Sequence, residues 1–208
     1  MADRRTPDSG GAEDLGFTEE QLGSNHVCLI YDGDTPREQL LAQYVAAGLR
    51  EGEVVRYFAD VTPAEQVRGW LEEFGVDVTQ AEARGALVIG DATTTYCPGG
   101  IFDPAEVISR IGAGYEAAHR AGFTGTRSTG EMSWVRRGLP GSNLFLEYEI
   151  RLGAVSTPYR HNGMCQYDAR LFDGASLFKV LQVHPFMVAQ GQVVRNPCYR
   201  RPGESPLP

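Results

Sequence analysis

Apolar and polar residues are arranged along the chain in blocks that predict strands and helices in turn. Short runs of consecutive apolar residues, typical of strands buried on both faces, alternate with longer segments whose apolar positions recur at helical spacing. The predicted strands are 26–31, 54–59, 86–89, 125–134 and 163–168. The predicted helices are 36–50, 64–74, 104–121, 142–155 and 173–183. This order predicts an α/β fold: an open, mostly parallel sheet of about five strands with helices on both faces.

The boundaries of the elements and of the domain follow from local signals. Three helices are opened by the pairs Thr35-Pro36, Thr62-Pro63 and Asp103-Pro104. Each pair predicts a capping side chain followed by a proline in the first turn of the helix. The segment around Gln190-Gly191 predicts a C-terminal β-hairpin that adds an antiparallel edge. Residues 1–20 and 202–208 lack periodicity, so we expect a disordered N-terminal tail, a single domain over 23–201 and a short C-terminal tail.

The first predicted strand-to-helix turn, within HVCLIYDGDTPREQ at 26–39, lies where open α/β proteins place a ligand. A phosphate-binding loop of the GxxxxGK[ST] type needs a lysine after its glycines. The only lysine of the chain is Lys179, far from this turn. The turn therefore has the position of a nucleotide loop without the residues that hold a triphosphate.

Charge and composition exclude several classes of function. The net charge is −8 and the basic residues are scattered, which argues against nucleic acid as a direct partner. The sequence contains no run of about 18 apolar residues, so no membrane span is predicted. The N-terminus lacks the apolar core of a signal peptide. We therefore expect a cytoplasmic protein. The four cysteines form no CxxC pair, so disulfides are not expected.

Polar and aromatic side chains follow the predicted strands at their carboxyl ends, where they would line one edge of the sheet. The mixture of carboxylates, aromatic rings and methionine suits a small pocket with apolar walls and a few polar anchors. The predicted ligand-binding residues are Tyr31, Asp32, Tyr96, Phe102, Glu131, Met132, Trp134, Tyr167 and Asp168.

Glu131 is the most informative of these residues, because it sits between Gly130 and Met132 in an otherwise apolar strand end and needs a hydrogen-bonding partner there. It could be a structural partner for an arginine or for loop amides, a ligand anchor, or a general base. No nucleophile or oxyanion donors accompany it, so we expect no catalytic residue.

Metal binding is a further alternative. His26 and Cys28 lie two apart on one face of the first strand and could form a zinc site with Cys165 or His184. A simpler interpretation places Cys28 in the core and His184 at the end of a helix, where the helix dipole favours histidine. We therefore expect neither a metal nor another cofactor.

Several short motifs together resemble a known family. They are His26-Val27-Cys28, Gly100-Ile101-Phe102-Asp103-Pro104, Gly130-Glu131-Met132-Ser133-Trp134, Leu146-Glu147-Tyr148-Glu149, Cys165-Gln166-Tyr167-Asp168 and His184-Pro185. In order and spacing the chain resembles the MEDS domain, the sensory domain named for methanogen and methylotroph regulators such as the dichloromethane-responsive repressor. The resemblance implies a RecA/KaiC-like core that has lost its phosphate loop, and a role in sensing small organic molecules for signal transduction and transcription regulation.

The leading hypothesis is a non-catalytic sensory or regulatory domain that binds a small organic ligand at the carboxyl strand edge. No DNA-binding or kinase segment fits in the flanking residues, so output would pass through a separate protein, such as a kinase or transcription regulator. Two alternatives are a degenerate phosphate-loop protein that still binds nucleotide, and a structural adaptor or homo-oligomer whose strand edge is filled by side chains.

Overall fold

The computed structural model describes residues 24–155 and 160–201. Its strands are β1 (Ser24–Tyr31), β2 (Val54–Ala59), β3 (Leu87–Asp91), β4 (Gly125–Glu131), β5 (Arg160–Asp168), β6 (Phe186–Ala189) and β7 (Gln192–Arg195). Its helices are α1 (Asp34–Arg50), α2 (Ala64–Glu73), α3 (Val78–Ala83), α4 (Ala92–Tyr96), α5 (Pro104–Arg120), α6 (Phe145–Gly153) and α7 (Gly174–Val183). Short 3₁₀ helices span Pro98–Gly100, Ser133–Arg137 and Ser142–Leu144. The tails expected at 1–20 and 202–208 lie outside the described residues.

The strands form one sheet in the order β3-β2-β4-β5-β1-β6-β7. Every pairing in it is parallel except that of β6 with β7. The predicted α/β fold, with a mostly parallel sheet and a C-terminal antiparallel hairpin, is confirmed. The pairing of β1 with β5 runs from Ser24 opposite His161 to Tyr31 opposite Asp168, so the carboxyl ends of these strands lie side by side.

Helices cover both faces of the sheet and divide the interior into two apolar clusters. One cluster packs α1, α2 and α3 against the first face, with Leu41, Tyr57 and Leu71 fully buried in it. The other packs α4, α5, α6 and α7 against the second face, around Trp134 and Tyr167. Burial on both faces explains why β1 and β2 are mostly apolar at successive positions. Within the described residues, none of the helices combines the length and the apolar character needed to cross a membrane.

Two predicted elements differ from the structure. The strand expected over 125–134 ends at Glu131, and Trp134 instead lies in the 3₁₀ helix Ser133–Arg137, which stops at Gly138 with a φ of 64°. The helix expected over 142–155 consists of a 3₁₀ turn followed by α6. The structure also contains α4 directly after β3, because the Asp91 side chain accepts a hydrogen bond from the Thr94 N–H at 2.6 Å and caps this short helix.

The predicted helix caps are right in one case of the three. Asp103 caps α5 by accepting from the backbone N–H groups of Ala105 and Glu106. By contrast, α1 begins at Asp34 after Gly33, and α2 begins after Pro63, in both cases without a capping side chain. Thr62 does not cap α2, and its hydroxyl accepts a hydrogen bond from the Arg37 guanidinium at 3.0 Å.

Candidate functional site

The turn between β1 and α1 is occupied by acidic side chains and their arginine partner. Asp32 is exposed, and Asp34 opens the helix at a position where a phosphate would otherwise bind. Arg170 bridges Asp34 and Asp168 with contacts of 2.9 and 2.7 Å, and its hydrogen bonds lower the pKa of Asp168. The helix N-terminus therefore faces carboxylates of its own chain, and these would repel a triphosphate.

Glu131 is buried at the end of β4, and both of its carboxylate oxygens accept hydrogen bonds from groups of the protein. Its Oε2 accepts hydrogen bonds from the three backbone N–H groups of residues 60–62, at 2.7–3.1 Å. Its Oε1 accepts from Arg37 and from the Tyr57 hydroxyl, each at 3.3 Å. The carboxylate thus joins β4 to the loop before α2 and to the buried Arg37 of α1.

The aromatic residues predicted to line a pocket are packed against one another. Trp134 is fully buried, stacks on Tyr96 with ring centroids 5.2 Å apart, and contacts Phe102 with centroids 4.8 Å apart. Met132 and Tyr167 are also fully buried in this cluster. Within the described residues, the strand edge around these side chains is filled by packing.

Tyr31 completes the predicted set. It is half-buried, its hydroxyl accepts from Arg37 at 3.3 Å, and the guanidinium lies over its ring at 4.8 Å. Burial raises the pKa of Tyr31 to about 12. Of the nine residues predicted to bind a ligand, only Asp32 is exposed, and only Tyr96 also borders the cavity described next.

A cavity of about 210 Å³ lies between the second face of the sheet and helices α5 and α6. Its floor is built from alternate positions of two adjacent strands, and all of these except His161 carry small side chains or none. These positions are Thr126, Ser128 and Gly130 on β4, and His161, Gly163 and Cys165 on β5. Since successive residues of a strand point to opposite faces, this row of small residues leaves room beneath the helices. The roof is mainly apolar: Val107, Ile111 and Tyr115 on α5, and Tyr148 and Leu152 on α6.

Two polar groups border this cavity without an evident partner. The Tyr115 hydroxyl is buried and makes no hydrogen bond among the described residues. Arg56, on β2, has no carboxylate within ion-pair distance in that same part of the chain, and burial lowers the pKa of its guanidinium. These two groups are available to hydrogen-bond an occupant of the cavity.

His161 closes one end of the cavity floor. Its Nδ1 lies 3.1 Å from the Thr126 hydroxyl, and its ring lies against that of Tyr115 with centroids 4.4 Å apart. Burial lowers the pKa of His161 to about 3, so the imidazole is neutral at physiological pH. The cavity thus carries no histidine charge.

Four buried side chains meet beside this cavity, at the junction of β1, β5, α6 and α7. They are His26, Glu149, Cys165 and His184, whose potential ligand atoms all lie within 4.8 Å of one another. Three of them belong to the metal set considered from the sequence. Its fourth member, Cys28, is buried opposite Cys165 in the sheet but does not join the group. The fourth member of the observed group is Glu149 instead.

The family of the chain follows from comparison with known sequences. A family profile described as "MEDS: MEthanogen/methylotroph, DcmR Sensory domain" matches residues 25–185. The chain belongs to the MEDS family. Among curated protein sequences, none matches it significantly.

The fold of this MEDS domain is shared with solved structures of KaiC-like proteins. It is similar to the KaiC-like protein PH0186 from Pyrococcus horikoshii OT3, with a TM-score of 0.55 and 17% identity over 79% of this chain and 70% of that one. It is also similar to the flagellar accessory protein FlaH from Methanocaldococcus jannaschii, with a TM-score of 0.54 and 10% identity over 82% and 75% of the two chains. These likenesses establish a RecA/KaiC-like fold.

Sequence reasoning missed most of the cavity of this MEDS domain and one member of the buried polar group. The signal for the cavity was the alternation of small residues at Ser128, Gly130 and Gly163, which is visible in the sequence once β4 and β5 are known to be neighbours. Glu149 was part of a family motif, but its partners come from three other elements. Its position therefore depends on how α6 packs against the sheet.

Proposed function

We propose that this protein is a non-catalytic cytoplasmic sensory domain that binds a small organic molecule in the cavity between the sheet and helices α5 and α6. The observation that carries the proposal is the cavity itself, formed over a row of small residues of β4 and β5 in a chain that belongs to a sensory family. An apolar cavity of about 150 Å³ is large enough for a benzene-sized molecule. A volume of about 210 Å³ therefore suits a compact ligand of similar or slightly larger size.

The walls define the chemical class of the ligand. The roof offers mainly apolar and aromatic surface, which favours a compact and largely apolar molecule. Arg56 and the Tyr115 hydroxyl would contact an oxygen acceptor on that molecule, since both are polar groups that lack a strong partner in the described residues. We therefore expect a small organic compound that carries a carbonyl, carboxylate or hydroxyl group.

Output would pass from the cavity to a separate regulatory protein, such as a kinase or transcription regulator. A ligand under α5 and α6 changes the packing of the two helices that separate the cavity from the outer surface of this layer. Arg110 of α5 also donates to the Thr95 carbonyl at 2.7 Å, which ties α5 to α4. A shift of α5 would therefore reach a second element and alter the surface offered to a partner.

The experiment is a thermal-shift and calorimetric screen of small oxygenated organic compounds with a matched pair of variants. Gly114 and Gly112 both lie on α5, but only Gly114 borders the cavity, where an added Cβ would lie 3.7 Å from the Arg56 guanidinium. An added Cβ at Gly112 meets open space. Both substitutions to alanine remove one helical glycine, so they differ mainly in the volume of the cavity.

The proposal predicts that a stabilising compound binds the wild type and Gly112→Ala equally, and binds Gly114→Ala about tenfold more weakly, which corresponds to about 1.4 kcal/mol. Arg56→Met should weaken compounds that carry an acceptor more than it weakens their hydrocarbon analogues. Binding that is unchanged in Gly114→Ala, or stabilisation by no compound at all, would contradict the proposal. ATP is included as a probe, and binding of ATP that depends on Asp32 or Asp34 would favour residual nucleotide binding instead.

A structural adaptor is the second candidate, because one observation favours it. The strand edge is filled by the packed side chains of Phe102, Met132 and Trp134, so the position of a lost nucleotide site is closed. An adaptor would gain no stability from any small molecule, and it would form a defined homo-oligomer or complex. Light scattering of the purified chain measures the oligomeric state, and the ligand screen separates the two functions.

A further inference from the structure

The four side chains beside the cavity have the composition of a transition-metal site. His26 extends from β1, Cys165 from the neighbouring β5, Glu149 from α6, and His184 from the residue that ends α7. All four are buried, and Glu149 and His184 are completely inaccessible. Two imidazoles, a thiol and a carboxylate are the ligand types that zinc and similar ions bind in proteins.

Three of the separations between the ligand atoms match those around a single tetrahedral ion, and all of the atoms lie within 4.8 Å of one another. Zinc bond lengths of about 2.0 Å to nitrogen or oxygen and 2.3 Å to sulfur imply separations of about 3.3–3.5 Å between ligand atoms. Cys165 Sγ lies 3.4 Å from His26 Nε2 and 3.5 Å from Glu149 Oε2. His184 Nε2 lies 3.5 Å from the same carboxylate oxygen. The contact between His26 Nε2 and Glu149 Oε2 is shorter, at 2.9 Å, and would lengthen on coordination.

The hydrogen bonding of His184 provides an independent indication. A carbonyl oxygen can only accept, so the 2.8 Å contact between His184 Nδ1 and the Val180 carbonyl places the ring proton on Nδ1. This leaves a lone pair on Nε2, which is fully buried, has no hydrogen-bond partner and lies near Glu149. A buried lone pair without a donor is costly, and a cation between the two groups would satisfy both.

The surroundings of the group resemble the outer shell of a metal site. The Tyr167 hydroxyl donates to Glu149 Oε1 at 2.6 Å, which orients the carboxylate and leaves Oε2 toward the histidines. The Val180 carbonyl orients His184 in the same way, and such second contacts are typical of metal ligands.

We propose that His26, Glu149, Cys165 and His184 bind one divalent transition-metal ion of the zinc class. On binding, the Cys165 thiol releases its proton to solvent and coordinates as thiolate, as metal-bound thiols do. The thiol also borders the ligand cavity, so the ion would form part of the cavity wall. The metal site does not depend on the proposed organic ligand, because the four residues and their spacing are sufficient to define it.

The test uses Co²⁺ as a spectroscopic probe with the full-length protein, freed of metal by chelator and kept reduced. We expect saturation at one equivalent, with visible bands typical of four-coordinate cobalt and a near-ultraviolet band from thiolate-to-cobalt charge transfer. One equivalent of Zn²⁺ should abolish both. Cys165→Ser should lose the charge-transfer band, and His184→Gln should weaken binding at least tenfold. Circular dichroism checks that each variant is folded.

Cys28→Ser is the matched control. Cys28 is as deeply buried as Cys165 and pairs with it across β1 and β5, but it lies outside the group. This variant should bind Co²⁺ like the wild type, with the same bands. The proposal is overturned if the wild type shows no saturable binding, if its cobalt complex lacks the thiolate band, or if Cys28→Ser impairs binding as much as Cys165→Ser. The first two outcomes need no variant, so poor folding of a variant leaves the test decisive.

Discussion

Glu131 at the end of β4 and Arg37 on α1 form a buried ion pair with a closest contact of 3.3 Å, and the side chains of both residues are at most 3% exposed. The carboxylate also accepts three backbone N–H groups from the loop that precedes α2. In effect, a side chain of the protein occupies an anion-binding loop made of successive backbone N–H groups. The pair thereby links α1 and the loop before α2 to the carboxyl edge of the sheet.

Removal of this carboxylate should strongly destabilise the protein. Glu131→Ala leaves Arg37 as an uncompensated buried charge and leaves the loop amides without an acceptor, so we expect a loss of about 3–5 kcal/mol in the free energy of unfolding. Chemical denaturation measures it. Glu65→Ala is the control, since the side chain of Glu65 is 88% exposed and its pair with Arg68 should contribute under about 1 kcal/mol. A loss below 1 kcal/mol in Glu131→Ala would show that the pair is dispensable.

Trp134 should likewise contribute to stability through packing. Its ring is fully buried between Tyr96 and Phe102, so Trp134→Ala should cost about 3–5 kcal/mol by the loss of buried area and the cavity left behind. Phe178→Ala, at a residue that is 50% exposed, should change stability by much less. If Trp134 lined an open ligand site, its truncation would cost little in the absence of ligand. Thermal and chemical unfolding of the two variants distinguishes these cases.

The fold was predictable because β1, β2 and β3 carry their own local signal, although β4 and β5 are more polar. Runs such as Val27–Ile30 are apolar on both faces, which is how a strand covered by helices on both sides must be composed. The boundary at Trp134 was not predictable in this way. An aromatic residue after Glu131 fits a continuing strand equally well, and only the packing of the 3₁₀ helix onto Tyr96 decides the outcome.

The candidate sites were predictable only in part, for a different reason. The list of strand ends correctly identified neighbours such as Tyr31 and Asp168, because parallel strands bring their carboxyl ends together. Whether such neighbours surround a space or fill it depends on side-chain packing between elements. The cavity exists because Ser128 and Gly163 have small side chains or none. The buried polar group exists because α6 packs with Glu149 on the side that faces the sheet.

The buried His161 should make stability depend on pH. Burial lowers its pKa from 6.5 to about 3, with smaller contributions from His26 and Arg56, so the unfolded chain binds the extra proton between these values. Stability contributed by this residue is therefore complete above about pH 6.5 and is lost as the pH falls toward 3. One such group gives a slope of up to about 1.4 kcal/mol per pH unit.

Replacement of His161 tests this dependence without interference from the carboxylates that titrate in the same range. His161→Gln should have a shallower loss of stability between about pH 6 and pH 4 than the wild type, by up to about 1.4 kcal/mol per pH unit. Parallel curves for wild type and His161→Gln, from urea denaturation at each pH, would show that His161 is not the titrating group.

Two helical glycines should respond to alanine with opposite signs. A Cβ at Gly48 on α1 would lie 2.8 Å from Arg127 Cδ and from Val55 Cγ2, and Arg127 cannot move away because its Nε donates to the buried Glu53 at 2.6 Å. Gly48→Ala should therefore cost about 1–3 kcal/mol by overpacking. Gly112→Ala on α5, whose Cβ meets open space, should stabilise by about 0.5–1 kcal/mol through helix propensity. Urea denaturation of both variants measures the two changes, and equal stabilisation would mean that α1 can move away from the sheet.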